Sequence, residues 1–154
     1  MKKMLVTLAV AVSTLSAFAG TSPANRVSSG EEVNQKVLKA FKTEFSTASD
    51  VKWTAGSEYF EATFYYHERY LFAYYNPDGE LLGVSRHISP MDLPLTLQKK
   101  LKEGYEDSWI SSLFEVSKND GTTYYVTLEN ADSRIVLKST DTYGWTFYKK
   151  IRKA

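Results

Sequence analysis

The 154-residue chain contains no cysteine, only two histidines and four prolines, and no excess of either charge, with 19 lysine and arginine side chains against 18 aspartate and glutamate. The absence of thiols excludes a disulfide framework, a thiolate nucleophile and a thiolate metal site. His67 and His87 stand far apart, and no H-E-x-x-H spacing occurs, so no metal site is expected. Near-neutrality removes the electrostatic reason to expect nucleic acid or anionic lipid as a partner. The eight glycines fall singly, at turns and segment ends. None builds a phosphate-cradling loop, and no cofactor is implied.

Long apolar runs are also missing, except at the start. Lys2 and Lys3 precede an uncharged, mostly apolar stretch from Met4 to Phe18, and no further charge appears until Arg26. Ala17-Phe18-Ala19 supplies the small-x-small pattern read by a signal peptidase, so residues 1–19 are expected to be a signal peptide cleaved before Gly20. The stretch is short and interrupted by Thr7, Ser13, Thr14 and Ser16, whereas a membrane span needs about 20 predominantly apolar residues. No membrane span is expected after signal cleavage, and the expected address is periplasmic or secreted. Cleavage removes two lysines and leaves 17 basic against 18 acidic side chains.

Catalytic patterns are equally scarce. There is no G-x-S-x-G elbow, and the histidines fall at an expected hairpin tip and near a strand end. Glu31-Glu32 and Glu106-Asp107 lie at expected helix ends, while Glu61 and Glu68 flank a hairpin. None of these pairs faces another across a cleft. Lys99, Lys100 and Lys102 read as the solvated side of a helix. No catalytic residue is assigned, and the chain is not expected to be an enzyme.

What the chain does have is two alternating periods. Residues 20–30 are small and polar and read as a flexible lead-in. Ser29-Gly30-Glu31-Glu32 fits a capping box, and Val33, Val37, Phe41 and Phe45 follow at intervals of four, which predicts an amphipathic helix. The period then drops to two. Strands are expected near 50–53, 60–66, 70–75 and 80–88, with reversals at His67-Glu68-Arg69 and Asn76-Pro77-Asp78-Gly79. The order then repeats. Asp92 is the expected cap of a helix with Pro94 in its first turn and Leu93, Leu97, Leu101 and Tyr105 on one side. Strands are expected at 109–117, 122–129, 134–139 and 145–151. Phe41 and Phe45 align with Leu101 and Tyr105, Phe60 with Tyr125, and Phe72 with Val136. The expected class is α+β: a single domain over 31–152, built as a tandem repeat (31–90 and 91–152) of one helix plus four antiparallel strands, with the helices packed on one face of the antiparallel sheet.

Six of the eleven tyrosines lie between Tyr59 and Gly83. Alternation with the apolar set Phe60, Ala62, Phe64 places Tyr66, Tyr75 and Tyr124 inward and Tyr59, Tyr65, Tyr74, Tyr125 and Tyr148 outward, with Trp53 joining them if Val51 points inward. Tyrosine and tryptophan give large contact area with few torsions to freeze and dominate binding hot spots. These six are the expected partner-binding residues.

The strings VLKAFKTEFSTASDVKW (37–53), NPDGELL (76–82) and DLPLTLQKKLKEGY (92–105), together with the aromatic strand pair between them, resemble PepSY-like domains, which are also described as similar to the beta-lactamase inhibitor protein. The resemblance spans about Val33 to Lys150; Tyr74 and Tyr75 depart from it, since an acidic residue is common before the Asp-Gly turn. It implies a tandem helix-plus-sheet fold, no catalytic residues, and binding or inhibition of a protein partner of the cell envelope. A carrier or sensor for a small ligand held between sheet and helices is the alternative, and it calls for a cavity of roughly 300 Å³ or more.

Overall fold

The computed structural model describes residues 33–152 and the backbone of 26–28. The expected signal peptide and the Ser29–Glu32 capping box lie outside the described residues. Nine strands form one antiparallel sheet in strict chain order: β1 Arg26–Ser28, β2 Ser49–Ala55, β3 Phe60–Tyr66, β4 Arg69–Tyr75, β5 Leu81–His87, β6 Trp109–Lys118, β7 Gly121–Glu129, β8 Arg134–Ser139 and β9 Thr146–Ile151. Helix α1, Gln35–Glu44, precedes β2, and α2, Leu95–Gly104, precedes β6. Eight strands and two helices thus form the tandem unit twice. β1 is an addition. Part of the stretch expected to be a flexible lead-in pairs with β2, Val27 standing opposite Thr54.

Both helix starts differ from expectation. Asn34, not Ser29, caps α1, its side chain accepting from the Val37 N–H at 3.0 Å. Its amide also donates to the Pro77 carbonyl at 2.7 Å, which ties the helix to the β4–β5 turn. At that turn Gly79 has φ +85°, and a Cβ there would come within 2.9 Å of the Lys36 carbonyl oxygen. Asp92 does not cap α2. It closes a capping box with Ser89 around the 3-10 turn Pro90–Asp92, and Pro94 takes the N-cap position of α2.

The helices end alike, the N–H of Phe45 bonding to the Phe41 carbonyl and that of Tyr105 to the Leu101 carbonyl. This bears out the alignment of those four residues. Phe72 and Val136 also share a face, the one opposite the helices. The pairing of Phe60 with Tyr125 fails: Phe60 packs under α1, while Tyr125 belongs to the opposite face. The inward counterpart of Phe60 is Tyr124, one residue earlier, which packs under α2.

Each helix covers its own core. Under α1, Val37, Phe41, Trp53, Ala62, Phe64, Ala73 and Tyr75 are buried. Under α2 lie Leu93, Leu97, Leu101, Leu113, Val126, Leu128 and Leu137. Between the two cores, on the same face, Arg86 pairs with Glu115 at 3.1 Å. Trp53 is the one expected partner-binding residue that this packing contradicts. Its register opposite Ala62 turns it toward α1, where it is 6% exposed and meets the Phe41 ring edge-on at 5.3 Å. Val51 is the more exposed neighbour, at 37%.

Candidate binding face

Period-two alternation in β3 to β9 leaves one face of the sheet without a helix. Along β3 it carries Glu61, Thr63 and Tyr65, because Phe60, Ala62, Phe64 and Tyr66 are committed to the α1 core. Cross-strand register then places Tyr70, Phe72 and Tyr74 of β4 on the same face, followed by Gly83, Ser85 and His87 of β5. Pairing of β5 with β6 sets His87 opposite Phe114 and Ser85 opposite Val116. Pairing of β6 with β7 sets Phe114 opposite Tyr125.

The rings on this face touch in four groups spread across the sheet. Tyr65 meets Tyr70 at 5.3 Å, Phe72 meets His87 at 6.0 Å and Phe114 at 6.4 Å, and His87 lies 3.8 Å from Phe114. At the second repeat's end Tyr125 meets Tyr148 at 5.4 Å, and at the first repeat's end Tyr59 meets Tyr74 at 5.8 Å. Edge-on and tilted geometry prevails, as the ring quadrupole favours.

Five of the six expected residues therefore lie on this face, but they are not equally open. Tyr65 is 38% exposed, Tyr59 and Tyr148 are half-buried, and Tyr74 and Tyr125 are buried. Tyr74 stands opposite Gly83, which has no side chain, and its hydroxyl lies 3.3 Å from that of buried Ser85. Tyr125 packs with Val116 and Val136, both fully buried although they lie on the face opposite the helices. The outward tyrosines thus form a second, shallow hydrophobic layer, and the expectation of uniformly wet rings is corrected at Tyr74 and Tyr125. Tyr66, Tyr75 and Tyr124 lie inward as expected. Tyr75 donates to a Glu44 carboxylate oxygen at 2.6 Å.

Sequence reading passed over four residues of this face. Tyr70, at 54% exposure, and Phe72 follow from the same i, i+2 step as Tyr74 and were legible. His87 and Phe114 were not, because their contact depends on the β5–β6 register across the junction of the repeats.

Burial shifts the titration of several of these groups. The Tyr74 phenol is pushed up to about 12, first by desolvation and then by the Glu61 charge. Tyr59 and Tyr125 are raised by burial, with smaller contributions from Glu61 and from Tyr148 respectively. Glu61 itself is raised by burial, against a hydrogen bond from Thr63 that lowers it. His87 is lowered by burial, which favours its neutral ring. Among the described residues, no group of three or more His, Cys, Asp or Glu is placed to hold a metal ion, and no helix is long and apolar enough to cross a membrane.

No protein-family model matches the chain, and no curated protein matches it in sequence. Solved structures do match it in fold. A candidate periplasmic protein from Bacteroides eggerthii superposes with a TM-score of 0.71 at 14% identity, over 77% of this chain and 89% of that one. A DUF2874 family protein from Bacteroides ovatus gives 0.70 at 17% identity, over 79% and 89%. A BLIP-like protein from Bacteroides fragilis gives 0.68 at 18%, over 79% and 88%. At such identities the likeness shows the fold: two helices laid on one face of an antiparallel sheet, in two helix-plus-four-strand units.

Proposed function

We propose that the chain is an exported, non-catalytic binding module that engages a protein partner of the cell envelope through the uncovered face of its sheet, as a binder or an inhibitor. The observation that carries this reading is the meeting of rings from both repeats on one uncovered face, in the Phe72–His87–Phe114 contacts at the repeat junction. The partly open tyrosines of this face are a residue type enriched among interface hot spots, which are worth about 2 kcal/mol or more when desolvated. Export rests on the expected signal peptide, and the BLIP-like and candidate periplasmic neighbours agree with both elements of the reading. The test is retention of an envelope protein by the immobilised mature chain. Tyr65→Ala with Phe114→Ala is expected to weaken retention by about 30-fold or more, with the unfolding midpoint changed little. Undiminished retention by a folded double variant refutes the reading.

A small-ligand carrier is the second reading. It draws on a solvent-open cleft of about 740 Å³ at α2, lined by Leu93, Leu95, Leu101, Tyr105, Ile110 and Leu128. Native mass spectrometry of freshly purified protein decides it: a bound small molecule supports the carrier, and a clean apo mass argues against it.

A further inference from the structure

The two ends of the uncovered face are built on the same plan with opposite charge. In the second repeat Tyr125 of β7 stands opposite Lys138 of β8, whose ammonium lies 6.0 Å from the Tyr125 ring centre. Lys149 lies 5.9 Å from the centre of the neighbouring Tyr148 ring. The chain therefore supplies its own cations to this ring pair. In the first repeat the equivalent positions on β3 and β4 are Glu61 and Tyr74, which also stand directly opposite one another. Tyr59 closes the corner, edge-on to Tyr74 at an interplanar angle of 67°. Gly56 permits this placement, because a Cβ there would meet the Tyr59 backbone oxygen at 3.1 Å and its ring at 3.4 Å. Here a ring pair and a carboxylate meet, and no lysine or arginine among the described residues lies over the rings.

Glu61 is also singular among the carboxylates. Of the described acidic residues only Glu61, Glu115 and Glu129 are not exposed. Glu115 is paired with Arg86 at 3.1 Å and Glu129 with Arg134 at 2.8 Å. Among the described residues Glu61 has only the Thr63 hydroxyl as a partner. Lys52, opposite Thr63 on β2, is exposed and forms no ion pair with Glu61. A half-buried carboxylate without a counter-ion is a cost to the free protein. The same carboxylate beside a tyrosine pair is a favourable setting for an organic cation, which gains ion pairing and cation–π attraction together.

We infer that Tyr59, Glu61 and Tyr74 form a seat for a cationic side chain, the arginine or lysine of the protein partner, so that the partner supplies in the first repeat the cation that Lys138 and Lys149 supply in the second. The inference rests on the reading of this face as a protein-binding surface and adds the partner's chemistry and its orientation: a basic side chain over β3–β4, and acidic or neutral groups over β7–β9, where the lysines repel a second cation. The Glu61 carboxylate, raised by burial while free, is drawn back down when the seat fills.

The test uses the mature protein with carbon-13-labelled tyrosine rings, titrated with N-acetylarginine amide and, separately, with the uncharged N-acetylcitrulline amide. The arginine compound is expected to shift the Tyr59 and Tyr74 ring signals saturably, with a Kd on the order of millimolar, and at least about 10-fold more tightly than citrulline. Glu61→Gln, which keeps the shape and removes the charge, is expected to abolish that preference. Equal shifts from both compounds, preference retained in Glu61→Gln, or shifts centred on Tyr125 and Tyr148 each overturn the inference. Its failure is separable from failure of the binding-face reading: the latter shows as retention insensitive to Tyr65→Ala with Phe114→Ala, while the former shows as arginine indifference in a protein whose retention those changes abolish.

Discussion

Two repeats with one architecture fill their helix-covered cores with different chemistry. The first is aromatic: Phe41 of α1 contacts Phe45, Trp53, Phe64 and Tyr75 at 4.9–6.4 Å. The second is built of leucine and valine, with Trp145 at its margin donating its indole N–H to the Leu97 carbonyl at 3.1 Å. The fold therefore asks for an apolar stripe at helical spacing and alternation in the strands, and accepts either filling. What differs in consequence is the polar fastening. A tyrosine in the aromatic core brings a hydroxyl, and Tyr75 discharges it onto Glu44. The aliphatic core carries no such obligation and uses an indole at its rim.

Deletion of the central side chain in each core is the strongest way to break this equivalence. Phe41→Ala removes a ring with four aromatic neighbours and is expected to cost about 4 kcal/mol, and Leu97→Ala, fully buried in the other unit, about 3 kcal/mol. Because β5 and β6 hydrogen-bond the units into one sheet, both variants are expected to unfold in a single transition in urea, followed by circular dichroism and by tyrosine and tryptophan fluorescence together. Separate transitions for the two probes would show that the repeats are independent bodies.

A smaller effect sharpens the comparison of fastenings. Tyr75→Phe leaves the ring in place and removes a hydrogen bond to a charged group, expected to cost about 2 kcal/mol. Trp145→Phe removes a neutral one and some area, with an expected hydrogen-bond contribution of about 1 kcal/mol. The urea midpoints of the two variants measure the difference. A cost for Trp145→Phe exceeding that for Tyr75→Phe would show that packing at the rim outweighs the polar contact.

The architecture was legible because periods and turns are local. Val37, Phe41 and Phe45 at intervals of four, and Phe60, Ala62 and Phe64 at intervals of two, each report a face without reference to any neighbour. The class, the helix-plus-four-strand order and the inward set Tyr66, Tyr75 and Tyr124 follow from them. Trp53 was misread because its face depends on how β2, with its register shift between Ser49 and Lys52, meets β3. The β1 pairing was missed because Arg26–Ser28 is too short to show a period. On the uncovered face, alternation predicts direction but not depth. Tyr74 and Tyr125 point as expected, yet neighbours from other strands bury them, and no single-strand pattern records those neighbours.

The smallest expected effect concerns a position where the repeats exchange an acid for a ring, Glu61 against Tyr125. Burial raises the Glu61 carboxyl above its ordinary value of 4.5, so the folded chain takes up this proton at a higher pH than the unfolded chain does. Above the folded value both states are ionised and the native state bears the desolvation cost; as pH falls through the folded value toward 4.5 and below, that cost disappears. Glu61→Gln is therefore expected to raise the urea midpoint modestly at pH 7 and to leave it unchanged near pH 4, once the hydrogen bond from Thr63 is retained by the amide oxygen. Urea melts of both proteins at the two pH values measure this. A destabilisation at pH 7 that persists at pH 4 would mean that the carboxylate is held by interactions the corner does not display, and that the first repeat's ring pair, like the second's, already has its counter-charge within the chain.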